Sequence, residues 1–342
     1  MIRVAFCLMF AMIVWVFQSI PNASEDVVNL SHNSFDIKKI YKNIPKDQCQ
    51  IGIHINELYE FNYGAHTFDA DFWMWSLCSS LPTNHRLEDL DFLNGIKVQD
   101  IPIYTENKKT YAYSYRRVIG TFHHLWDLQS FPLDEQKLII KVGSDVWDTT
   151  ALLYTFDDQQ SKMQTLEYSN IWDIKKFKGE LTAFRPETTY GYPLATGDAE
   201  YSVVEFSVEM VRKSQAVFWR LSIGVFSAVV IMMMTFFVHP KIDALHNAQL
   251  ALAVGSLFAV LMSYRNVGNY LGYMERLSLI DGIHMGGIAF ILIAGCVAIV
   301  KRYFACHLNV TIRHPDLRGL SIYVLAYALF NIGVFIWAAQ TM

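Results

Sequence analysis

Leu221-Ser-Ile-Gly-Val-Phe-Ser-Ala-Val-Val-Ile-Met-Met-Met-Thr-Phe-Phe-Val238 is a run of eighteen residues without a charge. Three more uncharged spans follow it: Ala248–Tyr264, Ile283–Val300 and Leu320–Met342. A helix rises 1.5 Å per residue, so about 20 residues cross a hydrocarbon core of about 30 Å. One such span could be the buried helix of a soluble protein. Four of them in the last third of a chain do not suit a soluble core. Backbone in lipid must satisfy its own hydrogen bonds, so all four are expected to be membrane-crossing helices.

The composition of the whole chain agrees. Its 342 residues are 53% hydrophobic and 18% charged, with a formal net charge of -4, against about 25% charged residues in a soluble domain. Partition locates the deficit. Residues 25–216 hold 28 acidic and 19 basic side chains (net -9), residues 217–342 hold 4 and 8 (net +4), and Arg3 supplies the rest. This composition excludes general disorder, and it has no basic surplus for binding nucleic acid. The basic residues also orient the spans. The third-to-fourth loop carries Lys301, Arg302, Arg313 and Arg318 against Asp316 alone, whereas Arg265 and Arg276 are balanced by Glu275 and Asp281. The positive-inside rule therefore places residues 24–216 and the C-terminus outside the cytoplasm of a multi-pass protein of the cell membrane. The start of the chain fits that orientation. Arg3, the apolar run Val4–Phe17 and the polar stretch to Ser24 read as a signal peptide over residues 1–23, the alternative being a short first transmembrane helix.

Between the leader and the helices, residues 24–216 read as strands. Ile51–Phe61 alternates imperfectly, Thr67–Ser76 is short and aromatic, Tyr111, Tyr113 and Tyr115 share one face by the period of two, and Gln136–Val142 and Glu200–Met210 follow suit. Turn signals at Asn94-Gly95, Gly143-Ser144, Asp157-Asp158 and Gly197-Asp198 separate them. The only helix-like stretch is a short one at Phe35–Lys42. The expected fold is an all-β sandwich followed by a four-helix transmembrane domain over 217–342. Of the five cysteines, Cys49 and Cys78 are the only pair suited to a disulfide in an exported domain; whether they are close enough is not legible in sequence.

The second span mixes small, polar and bulky residues. Steps of three and four from Asn247 collect Ala251, Val254 or Gly255, Phe258, Met262 and Arg265 on one face. Such a face could line a narrow pore, with Phe258 and Met262 as an apolar constriction that closes by dewetting. It could equally be a helix-packing face, where small residues allow close approach. Enzyme signatures are missing: no His-Glu-x-x-His, Gly-x-Ser-x-Gly, P-loop or dinucleotide fingerprint occurs, and no metal or cofactor site is expected.

Phe131-Pro-Leu-Asp-Glu-Gln136, preceded by Trp126-Asp127, resembles the Phe-Pro-Phe-Asp-x-Gln signature of pentameric ligand-gated ion channels, the Cys-loop receptor superfamily. Ile55–Tyr59 and Thr67–Phe72 are similar to the first two strands of its bacterial members, and the order of signal, β-domain and four helices matches along nearly the whole chain. The short third-to-fourth loop fits the prokaryotic type. The loop cysteines of the animal receptors are replaced here by His124 and Leu138. The resemblance implies an immunoglobulin-like sandwich for residues 24–216, a homopentamer in the bilayer, and a flux of inorganic ions along the second helix. It implies pore-lining roles for Asn247, Ala251, Val254, Gly255, Phe258, Met262 and Arg265, with the gate near Phe258. It further implies that Phe131, Pro132, Asp134 and Arg212 couple gating to the outer domain, Asp134 pairing with Arg212. The neutral Asn247, and Ala251 and Gly255 in place of polar rings, depart from the family pattern and leave charge selectivity open.

By the same resemblance an agonist would bind between subunits among aromatic side chains: Trp147, Tyr190, Tyr192 and Tyr201 from one, Trp73, Trp75, Tyr113 and Tyr115 from its neighbour. Aromatic faces attract an ammonium group, so a small amine or amino-acid-like ligand is one expectation. Protons acting through the outer carboxylates, His123 or His124 are the other. The alternative to a channel is a non-conducting, membrane-anchored ligand-binding or signalling module of the same fold.

Overall fold

The computed structural model describes residues 47–78, 90–101, 104–108, 110–144, 146–164, 171–189, 199–213, 216–272, 276–308 and 315–340. The proposed leader, Phe35–Lys42, Tyr190, Tyr192 and the Gly197-Asp198 turn lie outside them. The described chain forms two compact units. One is built of strands; the other holds the helices together with Asp127–Asp134 and Arg212.

The strand unit contains β1 (Gln48–Asn62), β2 (Thr67–Cys78), β3 (Leu90–Phe92), β4 (Gly95–Asp100), β5 (Tyr104–Asn107), β6 (Ala112–His123), β7 (Glu135–Ser144), β8 (Leu153–Phe156), β9 (Lys162–Met163), β10 (Trp172–Phe184) and β11 (Tyr201–Arg212). One sheet runs β4-β6-β2-β1-β8, with β5 on β6 and β9 on β1; the second runs β10-β11-β7-β3. The two sheets pack on a shared core. From the first come Ile51, Ile53, Ile55, Phe68, Phe72, Met74 and Phe122; from the second Leu138, Ile140, Val142, Phe206, Val208 and Met210. The alternation of β2 is clean, each second residue from Phe68 to Cys78 being buried.

The imperfect alternation of β1 has a local cause. Its register on β2 slips between Ile55 and Glu57, so Asn56 is an extra residue. A bulge of this kind moves every later side chain to the opposite face, and the inward set passes from Ile51, Ile53 and Ile55 to Leu58. Asn56 Nδ2 donates to Asp71 Oδ1 at 3.2 Å on the neighbouring strand. Asn94, at the predicted turn, ties the two sheets together: its Nδ2 donates to Ile139 O (2.7 Å) and His123 O (3.2 Å), and its Oδ1 accepts from Lys141 N (2.9 Å). Cys49 and Cys78, directly opposite in the β1–β2 register, are joined by a disulfide with their Cα atoms 4.0 Å apart.

The helical unit contains α1 (Ala216–Met233), continued by a 3₁₀ turn at Met234–Phe237, then α2 (Asp243–Leu271), α3 (Leu279–His307) and α4 (Leu317–Ala339). All four are long and apolar enough to cross a membrane. Two of the helices outrun the uncharged spans that announce them at both ends, α3 beyond Ile283–Val300 and α2, with 29 residues, beyond Ala248–Tyr264, whereas α1 and α4 begin earlier and end earlier than theirs. Hydropathy marks the stretch that suits lipid, while the helix ends are set by caps. Gly272, with φ of 73°, closes α2, a conformation that a Cβ disfavours. Ser278 and Asp281 form a reciprocal capping box at the start of α3, and Asp316 Oδ1 accepts from Gly319 N (2.8 Å) to begin α4.

Close helix approach depends on missing side chains. A Cβ on Gly286 would overlap the Phe330 ring, and one on Gly287 would overlap Val225, so α3 lies tight against α4 and α1. At the end of the bundle that holds the basic loop, Arg302 pairs with Asp243 and Lys301 with Asp316, while Lys301 also sits 4.4 Å from the Phe236 ring centre.

Candidate functional site

The strand unit presents an aromatic face. Because inward positions of β2 and β6 alternate with outward ones, Trp73, Trp75, Tyr113 and Tyr115 emerge on the same side of the first sheet. Cross-strand register then sets them in rows: Trp75 opposite Tyr115, Tyr115 opposite Tyr104, and Trp73 opposite Arg117. Ring centres lie 5.9 Å apart for Trp73 and Tyr115, 6.0 Å for Tyr113 and Tyr115, and 5.3 Å for Tyr104 and Tyr115. Tyr104 belongs to this cluster as fully as the four residues expected from sequence. Its signal was weak, because Pro102 interrupts the short run that carries it. Trp75 is oriented on both sides. Its indole N–H donates to Asp157 Oδ2 (3.1 Å), and the missing side chain of Gly52 leaves room for its ring.

Electrostatics frame the cluster. Arg117 grips Asp71 with two bonds, Nε to Oδ1 at 2.9 Å and Nη2 to Oδ2 at 2.5 Å. The guanidinium's hydrogen bonds hold the Asp71 carboxyl below the usual carboxylate range. Tyr113, by contrast, has its hydroxyl pKa raised by burial and by the neighbouring Tyr115.

Trp147 and Tyr201 do not join that face. Trp147 packs partly buried against the core, its amide donating to Ser144 Oγ (2.8 Å). Tyr201 neighbours Phe184 at 6.5 Å between ring centres. The two are held in one neighbourhood by flanking residues: Thr149 N donates to Glu200 O at 2.7 Å, and Arg185 Nε donates to Glu200 Oε1 at 2.7 Å. Within a single chain the expected ligand residues thus fall into two groups on different parts of the unit.

Of the two adjacent histidines, His124 has its pKa pushed down to about 4, first by burial, with Gln136 as its hydrogen-bond partner opposing. Its imidazole stands edge-on to Trp126 at 4.5 Å and to Phe68 at 6.1 Å. The expectation that its charge changes near neutrality is thereby corrected to a change in the acid range, because sequence does not report desolvation. No three His, Cys, Asp or Glu side chains gather as metal ligands among the described residues.

In the helical unit, α2 has two faces. His246, Gln249, Ser256, Val260, Val267 and Leu271 are buried. Asn247, Ala251, Val254, Gly255, Phe258, Met262 and Arg265 are all exposed in the single chain, with Val254 at 68% and Phe258 at 65%. At 100° per residue, the main stripe from Asn247 to Arg265 falls within an arc of about 80°. A large apolar stripe left bare in one chain signals a surface that something else covers or that lines a passage.

The Phe-Pro loop belongs to the same unit. Leu279 N, at the start of α3, donates to Gln129 O at 2.8 Å. The Phe131 ring lies 5.9 Å from Tyr270 on α2, with the Arg212 guanidinium 4.9 Å from its centre. The Phe131–Pro132 bond is cis. Arg212 Nε donates to Asp134 Oδ1 (2.8 Å) and Nη2 to Oδ2 (3.2 Å), and neither side chain has any solvent exposure. Removing either partner would bury an uncompensated charge. The contacts of Gln129 and Tyr270 were not singled out by sequence, since one uses backbone and the other follows the last apolar turn.

Taken together, the chain is a two-sheet β domain followed by four membrane-type helices. No protein-family model and no curated protein matches it.

Proposed function

We propose that the protein is a homopentameric ligand-gated ion channel of the bilayer, conducting along α2 and closed at Phe258. The observation that carries this reading is the α2 face: seven residues chosen from sequence are all exposed, opposite the face that packs on the bundle. Five copies around an axis would cover that stripe and make Phe258 a ring of apolar side chains, a constriction that excludes water. Arg265 would form a ring of positive charge at the outer mouth. Under this reading the strand domain lies outside the cytoplasm, as the basic loops require.

The two aromatic groups suit opposite sides of a junction between neighbouring subunits. Trp147 and Tyr201 would come from one, and Trp73, Trp75, Tyr104, Tyr113 and Tyr115 from the next. A small amine or amino-acid-like ligand fits such walls through the ring quadrupoles. Loop Asp127–Asp134 would carry the signal, because it is covalently continuous with β6 and β7 and touches α2 and α3. A second reading, a non-conducting module of the same fold, is favoured by one feature: Ala251 and Gly255 offer no polar group to a passing ion.

The test is ion flux from vesicles holding the full chain, screened across amines, amino acids and pH. Phe258→Ala is expected to raise basal flux at least tenfold while the oligomer stays pentameric. Tight vesicles for both proteins under every condition would overturn the channel and leave the module.

A further inference from the structure

His284 is an ionisable residue inside a membrane-type helix, and its side chain is wholly buried. Groups of this kind are costly in a bundle and mark functional sites. Three contacts meet around it. His284 Nδ1 lies 2.8 Å from Ile280 O on the same helix. Its Nε2 lies 3.1 Å from Ser263 Oγ on α2, and that oxygen lies 3.2 Å from Leu221 O on α1.

Proton counting distinguishes the states of this chain of contacts. Ile280 O and Leu221 O are carbonyls and can only accept. The first contact therefore needs a proton on Nδ1, and the last uses the single hydroxyl proton of Ser263. The middle contact is then a hydrogen bond only if Nε2 also carries a proton. Three contacts need three protons, and a neutral imidazole with one hydroxyl supplies two. The neutral state must give up one bond: with its proton on Nδ1, Ser263 turns either to His284 or to Leu221, and with its proton on Nε2 the contact to Ile280 O is lost. The imidazolium satisfies all three.

The groups around the imidazole leave this count intact. α1 contributes a carbonyl, and Arg220 beside it is exposed. α2 contributes Ser263 and the Tyr264 ring, 5.7 Å from the imidazole. α4 carries Arg318 as its only charged residue, in its first turn, and lays Val334 and Phe330 on Gly282 and Gly286 of α3. On α3 itself, Asp281 lies one turn before His284 and is the charged side chain that acts on it. Its Oδ2 already accepts from Ser278 N and Oγ. Gly224 completes the site, because a Cβ there would come within 3.0 Å of Ser263 Oγ.

We propose that His284 and Ser263 form a proton-binding site whose occupied state ties α2 to α1 and α3. The ligand is the proton itself, and uptake on acidification strengthens the arrangement described here. The proposal concerns helix contacts and does not require that the bundle conduct.

The full chain, labelled with 15N-histidine and reconstituted in bilayers, tests this by imidazole NMR between pH 4 and 8. His284→Gln identifies the signal. The expected result is titration to a form protonated on both nitrogens. Ser263→Ala should lower the midpoint by about one pH unit, the loss of one hydrogen bond to a charged group, while Ser263→Thr should restore it. A single neutral tautomer throughout the range in wild type, or an unmoved midpoint in Ser263→Ala, would overturn the site. Because no flux is measured, titration in a protein whose vesicles stay tight would support the site while the channel reading fails.

Discussion

Phe72 and Phe258 are the same side chain in opposite circumstances. Phe72 on β2 is completely buried between two sheets, whereas Phe258 on α2 is 65% exposed. In the strand unit a period of two turns alternate side chains into the core, which removes rings such as Phe72 from solvent. In the helical unit nearly every side chain is apolar, so hydropathy cannot say which face packs. Small and polar residues decide it instead. Gly224, Gly286 and Gly287 admit neighbouring helices, and Ser263 and His284 bond across them. Phe72 therefore marks the core of the first unit, whereas Phe258 lies on a surface without a partner in the single chain.

Equal truncations should break this comparison if it is wrong. Phe72→Ala is expected to destabilise the strand unit by about 3–5 kcal/mol, read as the loss of its thermal transition or of soluble expression. Next in size is the acid response of His124. Its pKa is about 4 when folded against 6.5 as the ordinary value. The unfolded state therefore binds the proton more readily between those values. Stability is complete above pH 6.5, falls as the pH drops, and levels off below 4, for a total of roughly 3 kcal/mol. His124→Gln should flatten that slope in denaturation monitored by tryptophan fluorescence.

In the helical unit, Gly287→Ala sets a methyl against Val225 and should cost about 1–3 kcal/mol by overpacking, seen as a lower unfolding temperature in detergent. Phe258→Ala should change that temperature least, within about 0.5 kcal/mol, despite its large expected effect on flux. If Phe258→Ala instead destabilises the single chain as Phe72→Ala does, the contrast between the two rings is lost.

Much of this was legible along the chain. Period-two alternation identified β6, β7 and β11 because each has one face in a core, while β2 was read from its short aromatic run. The break in β1 was visible as irregularity, but only pairing showed that Asn56 is the inserted residue. Uncharged length identified the four helices, though not their ends, since Gly272 and the Ser278–Asp281 box lie outside the hydropathy signal. The α2 stripe was readable from steps of three and four. Tyr104, Tyr270 and His284 were not, because each acquires its neighbours from an element distant in sequence.

By itself, then, the amino-acid order determined the class of each segment: strand where apolar residues alternate, membrane helix where charge vanishes for eighteen residues or so. Those are one-dimensional properties, set by the solvent each side chain must meet. Tertiary structure alone decided which residues share a site. It placed Cys49 opposite Cys78, gathered Trp73, Tyr104 and Tyr115 into one cluster, and joined His284 to Ser263. The physical reason is that hydrogen bonds, ion pairs and ring contacts act over a few ångströms in space. Chain periodicity reports the face a residue occupies, and only packing brings the partner to it.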